Sequence, residues 1–77
     1  MRIIVNGDER EIPEPLSVQQ LVEHLSLPLE RTAIERNLEV VRRTDWTSVQ
    51  LAEGDRIEIV HFVGGGSAGG AVSGVRY

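Results

Sequence analysis

The sequence predicts an α+β domain, in which a mixed sheet of five strands, or of four, carries one main helix on one face. Three observations predict this class. Short segments rich in β-branched residues recur along the chain, turn signals separate them, and one amphipathic helix pattern interrupts the series. With 77 residues the chain has room for a single domain, which we place at residues 1–63.

The N-terminal residues predict a hairpin. Met1–Val5 contains a run of β-branched residues and is expected to form a strand. Asn6-Gly7 follows, and this dipeptide favours a tight turn whose two central residues need positive φ. Glu9–Ile12 is the expected return strand. It ends before Pro13, because proline cannot donate to a sheet ladder.

A helix is expected to begin after Ser17. Ser17 and Gln20 have the spacing of a capping box, in which each side chain bonds the backbone of the other residue. Apolar residues then recur at helical spacing, which predicts one buried face. They are Val18, Leu21, Val22 and Leu25. Pro28 is expected to end the helix.

Three further strands are expected after the helix, at Thr32–Arg36, Glu39–Arg42 and Arg56–Val63. The segment 44–52 between the last two is irregular, and Trp46 within it is expected to be a partial lid on the core. This order of elements is that of the β-grasp arrangement. Its first and last strands lie side by side and parallel, with the helix region as the crossover between them.

The composition changes abruptly after Val63. Residues 64–77 contain six glycines and one charged side chain. Such a segment cannot bury enough apolar surface to offset the entropy of ordering it. We therefore expect residues 64–77 to form a flexible glycine-rich tail.

Charge and composition exclude several function classes. The net charge of −4 argues against nucleic-acid binding. No apolar run approaches the roughly 20 residues that cross a bilayer, and a signal-peptide pattern is missing, so we expect a cytoplasmic protein without membrane contact. The sequence has no cysteine, and neither His24 nor His61 has a second ligand nearby, so no metal site is expected.

Four segments of the sequence have counterparts in a known family. They are Ile3–Gly7, Ser17–Val22, Ile34–Asn37 and Glu53–Gly66. Together they resemble the ThiS family, the sulfur carriers of thiamine biosynthesis, over residues 1–66. The last segment is the specific one, because a Glu-Gly-Asp turn, an apolar strand and a glycine run occur in that order. The resemblance implies a ubiquitin-like β-grasp fold.

The resemblance also implies a carrier on which other enzymes act, with no cofactor bound by this chain. A ThiF-like adenylating enzyme uses ATP and magnesium to convert the terminal glycine carboxylate to an acyl-adenylate. A persulfide-bearing donor protein then converts it to a thiocarboxylate, which delivers sulfur to a ThiG-like thiazole synthase. Carried over to this chain, Gly66 is the adenylated and sulfur-carrying residue, while Gly64 and Gly65 thread the partner's active site.

The chain departs from the family pattern because residues 67–77 follow the glycine run. Gly66 needs a free carboxylate before it can react. Either a processing protease cuts after Gly66, or the tail is a remnant of cloning or of a gene fusion. A cut after Gly70 is an alternative that we rank lower, because its tether would be longer and looser.

Partner docking is assigned to Val60, Phe62 and Val63. Val60 and Phe62 lie on one side of the last strand, and Ile57 and Ile59 lie on the other. If Ile57 and Ile59 face the helix, Val60 and Phe62 form an apolar patch beside the tail. Packing of that patch under the segment 44–52 is the alternative.

Other functions stay open at this point. A small subunit of molybdopterin synthase or a carrier for tRNA thiolation would use the same fold and terminal glycines. A ubiquitin-like protein modifier would form the same adenylate but end in an amide with a lysine of its target. An interaction domain with an inert glycine linker is the plainest alternative.

Overall fold

The computed structural model of the protein describes residues 1–63 and 73–76. Within these residues the chain forms six strands, one α-helix and two short 3-10 helices. The strands are β1 (Arg2–Val5), β2 (Asp8–Glu11), β3 (Thr32–Arg36), β4 (Glu39–Val41), β5 (Arg56–Val63) and β6 (Ser73–Arg76). The helix is α1 (Val18–His24), and the 3-10 helices span Leu29–Arg31 and Arg43–Asp45.

The strands form one mixed sheet with the order β2-β1-β5-β3-β4, and β6 also pairs with β5. The predicted parallel neighbours are confirmed, since β1 runs beside β5 with Ile4 opposite Arg56 and Val5 opposite Ile57. The other pairs, including β3 with β5, are antiparallel. The predicted β-grasp arrangement of five strands and one helix is therefore confirmed, and β6 adds a strand to it.

The turn of the first hairpin forms where it was predicted. Asn6 and Gly7 adopt φ values of 48° and 88°, the positive values that a tight two-residue turn requires. The hairpin between β3 and β4 has the same kind of turn at Asn37 and Leu38, with φ of 51° and 72°. Leucine has a Cβ and no polar side chain to compensate, so Leu38 pays a conformational cost there.

Helix α1 begins with the predicted capping box. The Ser17 Oγ accepts from the Gln20 backbone N–H at 3.1 Å, and the Gln20 Oε1 accepts from the Ser17 N–H at 2.9 Å. The helix ends at His24, earlier than Pro28, because Ser26 adopts a positive φ of 59° and turns the chain away. The Leu27 N–H then bonds back to the Val22 carbonyl at 3.1 Å, which closes the helix end.

The core lies between α1 and one face of the sheet. Its buried apolar residues are Ile3, Val5, Ile12, Leu16, Val18, Leu21, Val22, Ile34, Trp46, Leu51, Ile57 and Ile59. The expectation that Trp46 is only a partial lid is wrong. Its side chain is buried within this core, and its indole N–H donates to the Val41 carbonyl at 2.9 Å, which satisfies the one polar group of the ring.

The segment 44–52 packs against the beginning of α1. The first backbone N–H groups of a helix have no partner within the helix. Here the Val18 N–H bonds the Val49 carbonyl and the Gln19 N–H bonds the Trp46 carbonyl, each at 3.0 Å. The segment is therefore irregular in form but fixed in position, and it covers the helix side of the sheet.

The expectation of a flexible tail over residues 64–77 is wrong for Ser73–Arg76, which form β6. This strand pairs antiparallel with β5, from Val60 opposite Arg76 to Val63 opposite Ser73. Amino-acid composition reports on the burial of side chains, whereas pairing of backbone N–H and C=O groups needs no apolar side chain. Residues 64–72 and Tyr77 lie outside the described part, and flexibility there stays a prediction.

Candidate functional site

The candidate site is the carboxyl end of β5, because this strand leads directly into Gly64. β5 lies in the middle of the sheet. β3 pairs with one of its edges from Arg36 opposite Ile57 to Thr32 opposite His61. β1 pairs with the first part of the other edge. The position of the backbone that immediately precedes Gly64 thus depends on how firmly β5 is held.

The Glu-Gly-Asp turn before β5 bonds to β1. The Glu53 carboxylate accepts from the Arg2 backbone N–H at 2.9 Å, and the Gly54 N–H donates to the Arg2 carbonyl at 2.8 Å. Gly54 has φ of 83°, which glycine adopts without a steric penalty. The first two residues of the motif therefore fix the start of β5 against one neighbouring strand.

Asp55 fixes the start of β5 against the other neighbour, the hairpin of β3 and β4. The residue is 7% exposed. It accepts from the Arg36 Nε at 2.8 Å, from the Ala52 backbone N–H at 2.8 Å and from the Asn37 Nδ2 at 3.1 Å. The charge is thus buried with an ion-pair partner and two further donors, which is the condition for tolerating it.

These contacts control the protonation of Asp55. Burial acts to raise the pKa of Asp55, and the hydrogen bonds from Arg36, Ala52 and Asn37 outweigh it, so the pKa lies below its ordinary value. Asp55 is therefore ionised at neutral pH and its charge is used in holding the turn. The position gives it no access to a reacting group at the far end of β5.

Asn37 completes this junction through its own backbone and amide. Its N–H donates to the Arg56 carbonyl at 2.8 Å, and its Oδ1 accepts from the Arg56 N–H at 2.9 Å. The segment Ile34–Asn37 and the Glu-Gly-Asp turn, both of which resemble the family, thus meet in one network. Within the described residues, these two segments hold the start of β5, the strand that precedes the glycine run.

Asn6 extends the ladder between β1 and β5 with its side chain. Its Nδ2 donates to the Ile59 carbonyl at 3.0 Å, and its Oδ1 accepts from the Ile59 N–H at 2.8 Å. The amide therefore takes the place of one more residue of β1 at the point where the chain turns away into Gly7. β5 is held on this edge as far as Ile59 by β1 and its turn.

Val60 lies on the sheet face opposite the core. Ile57 and Ile59 are buried toward α1, whereas Val60 is half-buried on the other face. Ile57 and Ile59 thus face the helix, which is the condition of the first predicted alternative, and the patch that includes Phe62 stays a prediction. Val60 and Ala33 are directly opposite each other, and with the 70% exposed Val40 they line a shallow depression. Glu35 and Glu58 also line it, which gives this apolar patch an acidic border.

The structure leaves part of the predicted site undescribed. Gly64, Gly65 and Gly66, and the alternative end Gly70, lie outside the described residues. The backbones of Phe62 and Val63 belong to β5, but their side chains also lie outside what is described. Their assigned roles, which are carrying sulfur, threading the partner's active site and docking on the partner, stay predictions.

The two histidines lie apart in the fold. His24 is exposed at the end of α1, and His61 is half-buried on β5. In the described ranges, 1–63 and 73–76, no three His, Cys, Asp or Glu side chains are grouped as a metal ion would require. In the same ranges, no helix combines the length and the apolar character that a bilayer crossing requires.

Sequence reasoning missed the polar residues that hold β5, namely Asn6, Asn37 and Asp55. It treated the first two as turn residues and the third as part of a turn motif. One signal could have found them, because short polar side chains beside turns commonly bond to nearby backbone groups. The sequence did not indicate which distant strand each of these side chains would contact.

Comparison with known proteins gives one family. The sequence profile of the ThiS family matches residues 3–66. The sulfur carrier protein ThiS of Bacillus subtilis is 40% identical over 50 residues, which are 65% of this chain and 76% of that protein. The crystal structure of a thiamine biosynthesis protein (ThiS) from Geobacter metallireducens is 32% identical and superposes with a TM-score of 0.75, covering 86% of this chain and 100% of that one.

Longer proteins also contain a similar region. A thiazole synthase of Paramagnetospirillum magneticum is 39% identical over 67 residues, which are 87% of this chain and 21% of that protein. A thiazole synthase of Magnetococcus marinus is 39% identical over 66 residues, or 20% of its length. The chain thus spans about a fifth of the length of these two relatives.

Proposed function

This chain belongs to the ThiS family, and on that premise we propose that it is a sulfur carrier of thiamine biosynthesis whose working group is the α-carboxylate of Gly66. The observation that carries the proposal is where the family match ends. It covers residues 3–66 and stops at the last glycine of the Gly64–Gly66 run, directly after β5. Residues 67–77 must then be removed before Gly66 can react.

The chemistry follows from the properties of a terminal carboxylate. An α-carboxyl group has a pKa of about 3.3–3.7 and is ionised at neutral pH. The carboxylate can attack the α-phosphate of ATP, but it is a poor electrophile until AMP is attached. An adenylating enzyme uses ATP and Mg²⁺ for that step, with release of pyrophosphate. The outer sulfur of a persulfide donor then displaces AMP to form an acyl disulfide, and a thiol reduces its S–S bond to release the thiocarboxylate. This chain contributes the carboxylate and a glycine tether that is narrow enough to enter the active site of each partner enzyme.

The fold supports this role through β5. The strand is bonded at its start by Asp55 and its turn, and further along by Asn6, so its carboxyl end leaves the domain at a defined place. A carrier needs a rigid body that a partner can grip and a narrow end that the partner can admit. Glycines 64–66 suit the second requirement because they lack side chains.

The apolar patch of Ala33, Val40 and Val60, together with Phe62 and Val63, is proposed to dock on the adenylating enzyme. Val40 is 70% exposed on the same face as Val60 and can be changed without disturbing the core. Val40→Asp is expected to weaken binding of the adenylating enzyme about tenfold or more, measured by titration calorimetry.

Leu38→Asp is the matched control for the docking surface. Leu38 is 84% exposed on the same hairpin, but it lies at the end of the sheet where β5 starts. Its substitution is expected to leave the affinity for the adenylating enzyme unchanged. Equal losses in the two variants would contradict the proposed surface.

The delivery of sulfur is proposed to go to a thiazole synthase. Two thiazole synthases contain a region 39% identical to this chain, which supports a close working relation between carrier and synthase. In a protein that contains both the carrier region and the synthase, the carrier's terminal carboxylate becomes available only after the peptide bond following the glycine run is hydrolysed.

The decisive experiment is the intact mass of two forms, the chain ending at Gly66 and the 77-residue chain. Each is incubated with an adenylating enzyme of the family, ATP, Mg²⁺, a persulfide donor and a thiol reductant. We expect the form ending at Gly66 to gain the mass difference of sulfur replacing one oxygen. The 77-residue chain is expected to keep its mass.

Controls separate this function from its alternatives. A form ending at Gly65 tests the position of the carboxylate, and it is expected to react poorly because it is one residue short. Amide-linked products with lysines of other proteins, in place of sulfur exchange, would favour a protein modifier. A form ending at Gly66 that accepts neither AMP nor sulfur would leave only an interaction domain.

A further inference from the structure

One edge of β5 changes its partner along its length. β1 pairs with this edge at Arg56 and Ile57, and the Asn6 amide bonds Ile59. The chain of β1 then turns away. From Val60 to Val63 the same edge pairs with β6, since β3 occupies the opposite edge as far as His61.

The direction of the backbone groups follows from these contacts. The carbonyl of Ile57 and both backbone groups of Ile59 point to the edge of β1. Because backbone groups alternate along a strand, those of His61 and Val63 point to the same edge. In the antiparallel register these two residues stand opposite Val75 and Ser73. The direction of their backbone groups makes these the hydrogen-bonded pairs of that register.

We propose that the Val60–Val63 edge of β5 is a strand-acceptor site, which Ser73–Arg76 of the same chain close and which removal of the residues after Gly66 opens. An edge of this kind with free N–H and C=O groups is a template for another extended backbone. The occupant after removal is an extended segment of the adenylating enzyme. That last step rests on the proposed function, whereas the closure by β6 does not.

The closure has a direct consequence for the carrier. β6 occupies the backbone groups immediately before Gly64, on the strand that a partner must grip to draw in the tail. Cleavage after Gly66 then does two things at once, since it creates the carboxylate and detaches the segment that covers the edge. The uncut chain is kept from productive docking by its own strand.

Amide hydrogen exchange of the isolated protein tests the closure without any partner. The chain ending at Gly66 is compared with the 77-residue chain. The Geobacter metallireducens structure is matched over its whole length by 86% of this chain, so we expect the shorter chain to fold. The His61 and Val63 amides are expected to exchange about tenfold or more faster in the shorter chain. The Val60 amide, which faces β3, is expected to keep its rate.

Two variants of the full chain repeat the test without truncation. Val75→Pro removes an N–H that faces β5, and it is expected to accelerate exchange at His61. Gly74→Pro is the matched control, because the N–H of Gly74 points away from β5 and proline is tolerated at such an edge position. Equal exchange rates at His61 in all these chains would overturn the proposal.

A peptide of residues 71–77 tests whether the edge accepts a strand from outside. At about 5 mM, comparable with the effective concentration that a short linker provides, it is expected to shift the NMR signals of His61 and Val63 in the chain ending at Gly66. The same peptide is expected to leave the 77-residue chain unchanged. The absence of these shifts in the shorter chain would refute an acceptor site, even if its carboxylate were charged with sulfur normally.

Discussion

Replacing Asp55 with asparagine tests whether the junction before β5 holds the strand as described. The substitution keeps the shape of the side chain but removes its charge. Arg36 then loses its ion-pair partner at 2.8 Å, and one of the donors from Ala52 and Asn37 meets an amide nitrogen in place of an oxygen. The change is confined to one end of β5, away from the glycine run.

The magnitude can be worked from these contacts. A hydrogen bond to a charged group contributes roughly 1.5–3 kcal/mol. The Arg36 side chain is 33% exposed, so water takes over part of its lost pairing. We expect Asp55→Asn to lower the free energy of unfolding by about 2–3 kcal/mol at pH 7. With a urea m-value of about 1 kcal/mol per molar, the unfolding midpoint falls by about 2–3 M.

The pH dependence gives the sharper test. Since the pKa of Asp55 is lower in the folded chain, its contribution is fully present above the unfolded-state pKa, about 4, and is lost as the pH falls through the folded-state pKa. The stability difference between the wild-type chain and Asp55→Asn is therefore expected to be largest near neutral pH and to narrow below about pH 4.

Urea unfolding, followed by the fluorescence of the single tryptophan Trp46, measures this difference across the pH range. Asp8→Asn is the control, because Asp8 is exposed and its change is expected to stay within about 0.5 kcal/mol at every pH. A loss for Asp55→Asn below about 0.5 kcal/mol at pH 7 would refute the reasoning. So would a loss that stays constant from neutral pH through the acid range.

Three further predictions concern stability and are checked by urea unfolding, followed by far-ultraviolet circular dichroism because one of the variants lacks the single tryptophan. Leu38→Gly is expected to stabilise the chain by about 0.5–1 kcal/mol, because glycine adopts the positive φ of 72° at this exposed position without strain. Glu39→Gly, in the adjoining strand, is the control and is expected to destabilise the chain by a similar amount. Asn6→Ala is expected to cost about 2–3 kcal/mol, since two backbone groups of β5 lose their partner, and Asn6→Asp is expected to recover part of this by keeping the acceptor. Trp46→Phe is expected to cost about 1–3 kcal/mol through the unpaired Val41 carbonyl and the smaller ring, and a neutral result would contradict the buried position of the indole.

The sequence by itself determined the helix, the first five strands and the class of fold. Local chemistry carries this information, because Asn6-Gly7 needs a tight turn and Ser17 with Gln20 caps a helix whatever lies around them. The alternation in β5 also decided that Ile57 and Ile59 face one way and Val60 the other. The glycine run, its flanking strand and three further segments were sufficient to indicate the family, while the assignment of Gly66 as the sulfur-carrying residue stays a prediction.

Only the tertiary structure decided which strands these residues join. Asn6 reaches Ile59 and Asp55 reaches Arg36 across the sheet, and such pairs are far apart in sequence, so no local pattern specifies them. The burial of Trp46 likewise depends on how the segment 44–52 crosses the start of α1. The pairing of Ser73–Arg76 with β5 was hidden for a related reason. Strand pairing uses backbone groups that every non-proline residue has, so composition cannot reveal it until an open edge is seen beside it.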